Sequence, residues 1–164
     1  DYLDKNMNSA SEQIRKSAAY MKAEAAQASA KGKDALTASA QELDKLADDV
    51  KSGAVTSQKR MEDTFARAYL ALASNEHIKS TESWARKETA KAGAALESAN
   101  RHLEKSFSWA GQKIEKGTND VMKKSEALAL KLRAKGSLVA EEVGKGLQDA
   151  GNEIKNFGNR ISTR

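Results

Sequence analysis

From Val139 to Ile161 the chain reads "VAEEVGKGLQDAGNEIKNFGNRI". Val139, Val143, Leu147, Ala150, Ile154, Phe157 and Ile161 recur there at the three- and four-residue steps of one helix face. Further upstream the pattern widens to steps of eleven. Val121, Leu132, Val143 and Ile154 form one row, Leu128, Val139, Ala150 and Ile161 a second, and Ser125, Gly136, Leu147 and Gly158 a third. Eleven residues make close to three turns at about 3.67 residues each, so such rows stay on one face of a nearly straight helix.

The beginning of the chain repeats this design. Leu3, Ile14, Ala25, Leu36 and Ala47 form one row, and Ala10, Met21, Gly32, Leu43 and Ala54 another. The stripe crosses Gly32 without losing phase, which predicts one continuous helix in preference to a hairpin. The middle is less regular. Met61, Phe65, Ala68, Tyr69 and Leu72 share one face, while Ile78, Thr81, Ala85, Ala92, Leu96, Ala99 and Leu103 share another, rotated by roughly half a turn at ~100° per residue. Either the helix breaks at Ser74–Glu76, or its packing partner changes sides there.

With no proline in the chain, punctuation falls to glycine and small polar clusters. The strongest stops are "KSGAVTS", where Gly53 ends a helix and Thr56 or Ser57 caps the next, and "SFSWAG", where Ser108 is placed to cap a third. These cuts predict a single all-α domain over residues 1–164. It is an elongated antiparallel bundle of three long helices near 2–52, 56–106 and 109–161. The alternative breaks these at Gly32, Ser74–Asn75 and Gly136 into four to six shorter helices.

Composition fits narrow seams better than a thick core. Apolar residues make up 39% of the chain but aromatics only 5%, and alanine supplies much of the rest. Gly144, Gly146 and Gly151 each cost about 1 kcal/mol of helix propensity relative to alanine. The C-terminal helix is therefore expected to depend on a docked apolar face. Gly136 and Gly158 lie on the stripe itself, where another backbone is expected to come close.

The net charge of +5 is well mixed, and basic residues do not alternate with stacking aromatics, so no nucleic-acid partner is expected. Residues 106–164 hold eleven Lys/Arg against seven Asp/Glu, a bias toward anionic surfaces. Lys113, Lys124 and Lys135 fall at steps of eleven on one flank of the stripe, with Lys131 close by. Such lysines can lay their methylenes on an apolar surface and keep the ammonium in water. No stretch approaches the ~20 apolar residues that span a bilayer.

Little here suggests catalysis. His77 and His102 stand at no metal-ligand spacing and read as solvated or boundary residues. Asp48–Asp49 and Glu141–Glu142 are adjacent pairs that splay apart on a helix. There is no phosphate loop, no nucleophile elbow and no cysteine. The chain is expected to be non-enzymatic and to use no cofactor or metal. Trp109, beside Phe107, reads as a plug at one end of a bundle or as an anchor at a lipid–water boundary. Tyr69, with Leu70 and Leu72, reads as core or pocket lining.

The stripe from Trp109 to Ile161, the glycine-bearing strings "KIEKGTNDV" and "VGKGLQDAG" and the missing proline resemble the eleven-residue-repeat helices of exchangeable apolipoproteins. Late-embryogenesis-abundant and synuclein-like helices share these traits. The resemblance implies amphipathic helices that bundle in water or lie on lipid. Three functions follow as expectations. The first is binding to lipid or a membrane surface, by opening the bundle. The second is an adaptor bundle for another helical protein, and the third is a bundle enclosing a small apolar ligand. The residues expected to carry the lipid or partner face are Trp109, Val121, Leu128, Leu132, Val139, Val143, Leu147, Ile154, Phe157 and Ile161, with Lys113, Lys124 and Lys135. Absence of cysteine and of an initiating methionine tilts the expected compartment toward exported or periplasmic.

Overall fold

The computed structural model describes residues 6–55 and 57–162. Leu3 and Thr56 lie outside them. Six helices account for all regular structure among the described residues: α1 (Met7–Gln27), α2 (Ala30–Lys51), α3 (Gln58–Ala85), α4 (Thr89–Trp109), α5 (Lys116–Arg133) and α6 (Ala140–Ser162). The all-α expectation holds in its six-helix form. The three long rods do not form, because each of them folds back on itself near its middle.

The first fold-back shows why the periodicity misled. Ala28 and Ser29 leave the helical region, with ψ of 148° and 162°, three residues ahead of Gly32. The rows at eleven nevertheless stay buried on both sides of the turn: Ile14 and Ala25 on α1, Leu36 and Ala47 on α2. A stripe that runs in phase can be covered by an external partner or by its own second half. Here α1 and α2 are antiparallel and cover each other. The Ser11 hydroxyl donates to the Ala47 carbonyl (2.8 Å), and Arg15 pairs with Asp48.

The stop expected at Gly53 is present, and a second falls at Gly111, inside the span expected for the third helix. Gly53 and Gly111 both have positive φ, 73° and 62°. After α4 the N–H of Gln112 reaches back to the carbonyl of Phe107 (3.1 Å), satisfying an end that would otherwise be orphaned. Two other expectations fail. Ser108 lies within α4 and starts nothing, and Glu115 precedes α5 instead. Helix α3 runs unbroken through Ser74–Asn75 and stops at Arg86. The residue that turns the chain there is Lys87, at φ 60°, with the Glu88 N–H bonded to the Ser83 carbonyl (2.9 Å). Lys135, at φ 51°, ends α5 in the same way beside Gly136.

Helix α3 has partners on two sides, which resolves the change of face near Ser74. Ala68, Ala71 and Leu72 join the core built with α1 and α2. Ala66 and Ala73 join Leu103, Phe107, Met122, Ile154, Phe157 and Ile161 in a second core with α4, α5 and α6. Ala92, Leu96, Ala129, Leu132, Val143, Leu147 and Ala150 continue that interior toward the other end of the four helices. Helices α3, α4, α5 and α6 therefore close into a ring, with α6 returning to α3. The α1–α2 hairpin packs on the outer side of α3.

Small residues set the helix spacing. The Ser106 hydroxyl donates to the Ala66 carbonyl (2.5 Å), and that of Ser80 to the Ala92 carbonyl (2.7 Å), tying α3 to α4 through buried polar bonds. A Cβ on Gly93 would stand 2.6 Å from the Ala129 carbonyl oxygen, so α4 and α5 meet there backbone to backbone. On α6 the expected roles of the glycines are partly exchanged. Gly136 sits exposed in the α5–α6 connection with no backbone pressed on it. Gly151 instead receives the His77 ring, which a Cβ would meet at 2.6 Å.

Candidate functional site

Most of the predicted lipid or partner face is already occupied inside the ring. Leu132, Val143, Leu147, Ile154, Phe157 and Ile161 are buried. Phe157 stacks on Phe107, with ring centroids 3.8 Å apart, and the Arg160 guanidinium lies 5.5 Å from the Phe157 centroid. His77 holds α6 from the other side. Its Nε2–H donates to the Leu147 carbonyl (2.7 Å), which places the ring proton on Nε2. His77 is thus a boundary residue with a structural bond and is not a solvated one. Trp109 stacks on Phe65 at 4.8 Å and keeps 36% of its surface exposed, which combines the plug and the open edge. The continuous lysine flank does not exist. Lys113 lies in the α4–α5 connection and Lys135 in the α5–α6 turn, leaving Lys124 alone of the three on a helix.

The surface that remains open gathers at the α5–α6 hairpin. A groove of about 480 Å³ runs between the two helices and their connection. Val121, Leu128, Leu138 and Val143 contribute its apolar walls. Lys124, Lys131 and Lys145 stand on its rim, together with the acids Glu142 and Asp149. Next to it, at the tip of the hairpin, Leu130 and Val139 are 58% and 54% exposed. Residues 127–140 contain Lys131, Arg133 and Lys135 and no acid, although Arg133 is paired with Glu97 of α4. Val121, Leu128, Val139, Val143 and Lys124 all line this groove. Leu130, Leu138 and Lys145 escaped the sequence reading because they lie off the stripe. For Leu130 a signal was present in "LALKL", where alternate leucines cannot all face one side of a helix.

A second cavity, of about 400 Å³, is lined by residues of α1, α2, α3 and α4. Tyr20, Met21, Phe65, Tyr69, Leu72 and His102 line it, so Tyr69 and Leu72 are pocket lining. Close to it, the Lys79 ammonium donates to Glu76 (2.7 Å) and Glu24 (3.0 Å), joining α3 to α1. Burial works to lower the Lys79 pKa, but hydrogen bonds and charge from Glu76 and Glu24 outweigh it, and the value is raised. The Tyr20 hydroxyl is raised by burial and then by Glu24. His102 is pushed below the usual histidine range, chiefly by burial, with opposing contributions from Glu76 and Arg101. Tyr20 and His102 were missed as a pair because 82 positions separate them, and only the α1–α2 fold-back brings α1 to α4.

Among the described residues no group of three His, Asp or Glu side chains could hold a metal ion, and no helix is long and apolar enough to cross a membrane. The chain matches no protein-family model, no curated protein and no solved structure.

Proposed function

We propose that this protein is a non-enzymatic amphipathic-helix protein that binds anionic lipid surfaces through the tip of its α5–α6 hairpin. The observation that carries this reading is the exposure of Leu130 and Val139 beside Lys131 and Lys135, with Val139 and Lys131 also lining the apolar groove. Apolar side chains flanked by lysines suit the lipid boundary: the chains bury below the headgroups while the ammonium groups stay among the phosphates. Each lysine near an anionic membrane contributes about 1 kcal/mol, and the apolar tip adds burial that salt does not screen.

The buried stripe of α6 gives this reading a second stage. Helix α6 is held by α5 and by α3, and its glycine-rich polar side gives it little intrinsic helix stability. Once the tip is docked, separation of α6 from α3 would present Val143, Leu147, Ile154 and Phe157 to the acyl boundary. In this respect the C-terminal hairpin is similar in design to the apolipoprotein-like helices it resembles.

Flotation separates the possibilities. With vesicles of phosphatidylglycerol and phosphatidylcholine in equal parts the protein is expected to float, and with phosphatidylcholine alone it is not. Lys131→Glu with Lys135→Glu should lower the partition coefficient by at least roughly thirtyfold, from the loss of about 2 kcal/mol. A Leu130→Asp/Val139→Asp variant should stay in the dense fraction. A protein that ignores anionic vesicles, or floats equally well without Leu130 and Val139, removes this reading.

A further inference from the structure

The cavity between α1, α3 and α4 points to a small-molecule site independent of the lipid-facing tip. Two histidines of this chain are partly buried, and the fold treats them differently. His77 is bonded to a backbone carbonyl. His102 has no hydrogen-bond partner for either ring nitrogen among the described residues. It nevertheless lines a cavity walled by Tyr20, Phe65, Tyr69 and Leu72, and its ring centroid lies 6.0 Å from that of Tyr69. Its ring nitrogens are not among the fully buried polar atoms left without a partner, so they meet water in the open cavity, and a ligand that displaces that water must replace its hydrogen bonds. Burial keeps this imidazole neutral, so it presents one donor and one acceptor to whatever enters.

The walls narrow the choice of occupant. The space of about 400 Å³ is in the range of small-ligand pockets, and its aromatic lining favours a flat ring system. The charge around the cavity is mixed: Lys16 lines it, Glu24 and Glu76 act on His102, and Lys79 is bonded to both of those acids. A hydroxyl on an aromatic ring both donates and accepts, which matches a neutral imidazole. We infer that this cavity binds a small, planar aromatic molecule carrying a phenolic hydroxyl, with its ring against Phe65, Tyr69 and Leu72 and its hydroxyl on His102.

Two probes that differ only in the hydroxyl test this on the full chain: 2-naphthol and naphthalene, titrated while amide and imidazole resonances are followed by NMR. Saturable shifts are expected at Tyr20, Tyr69, Leu72 and His102, with 2-naphthol bound about tenfold more tightly, equivalent to ~1.4 kcal/mol for the hydrogen bond. His102→Leu should erase that preference while still binding both probes. His102→Gln, which keeps a donor and an acceptor, should restore part of it. Circular dichroism confirms that each variant is folded. The inference is overturned if no saturable shifts occur in the cavity, if the two probes bind equally to the parent protein, or if the preference survives in His102→Leu.

Discussion

Helices α3 and α6 hold their places by opposite means. Helix α3 buries residues around much of its circumference: Ala68 and Leu72 toward α1 and α2, Ala66 and Ala73 toward α4 and α6. No single stripe marks it, and polar side chains such as Thr64, Asn75, Ser80 and Ser83 are buried along it. Helix α6 buries one sharp stripe, from Val143 to Ile161, and fills much of its remaining surface with glycine and charge. A helix buried on opposite sides needs no amphipathic pattern, whereas one buried along a single face depends on that face alone. The contrast places the easiest local opening of the molecule at α6.

The strongest way to break this comparison is Phe157→Ala. Removing a fully buried ring stacked on Phe107 should cost about 3–5 kcal/mol. Native-state amide exchange should show α6 losing protection before α3 does. Equal loss in both helices would mean that α6 opens only with the whole ring.

Paired glycine substitutions give an effect of about 1 kcal/mol with opposite signs expected. Nothing lies within 4 Å of a Cβ on Gly144, so Gly144→Ala should raise stability by roughly the full helix-propensity gain of ~1 kcal/mol in denaturant titrations. Gly151→Ala should gain nothing or destabilise, because the His77 ring must leave its bond to Leu147 to make room. If both variants stabilise alike, His77 is not holding α6.

A smaller gain is expected at the end of α3. Lys87 occupies the left-handed region, which costs a residue with a Cβ about 1–2 kcal/mol. Lys87→Gly should relieve that, less the extra chain entropy glycine loses, for a net gain of about 0.5–1 kcal/mol in thermal melts.

The last contrast concerns sign. His102 has a lowered pKa in the fold, so in the interval below the ordinary histidine value the unfolded chain binds more protons than the folded one. Stability is therefore present in full above the unfolded value and falls as pH drops through it, levelling once the folded pKa is passed. Denaturant titrations at pH 7.5 and pH 5 should show this difference, and His102→Gln should reduce it.

The sequence made the helical class legible, along with many of the buried residues of the two striped thirds, though Ala18, Leu46, Val50, Met122 and Ala129 lie off the rows. Leu36, Leu43, Leu132, Val143 and Phe157 could all be placed by spacing alone, because a helix face is a local property. The stop at Gly53 was legible for the same reason, since glycine tolerates a positive φ, whereas Gly111 was read as lying inside the third helix. The stop at Lys87 was not. A lysine carries no local mark of a left-handed turn, and the tertiary contacts around it impose one. The fold-back at Ala28–Ser29 was hidden because an in-phase stripe suits a rod and a hairpin equally well. The α5–α6 groove was half legible: Val121, Leu128, Val139 and Val143 lie on the stripe, but Leu138 and Lys145 lie off it and join them only through the hairpin turn.

The return of α6 to α3 bears on how the chain behaves as it leaves the ribosome. Every other major pairing joins helices that are adjacent in sequence, so each can dock soon after it is made. Phe107 and Ala66 must wait for Phe157, about fifty residues later than Phe107, and until then they present an uncovered oily surface. That interval is the window in which a nascent-chain chaperone, or the lipid surface itself, would meet this protein.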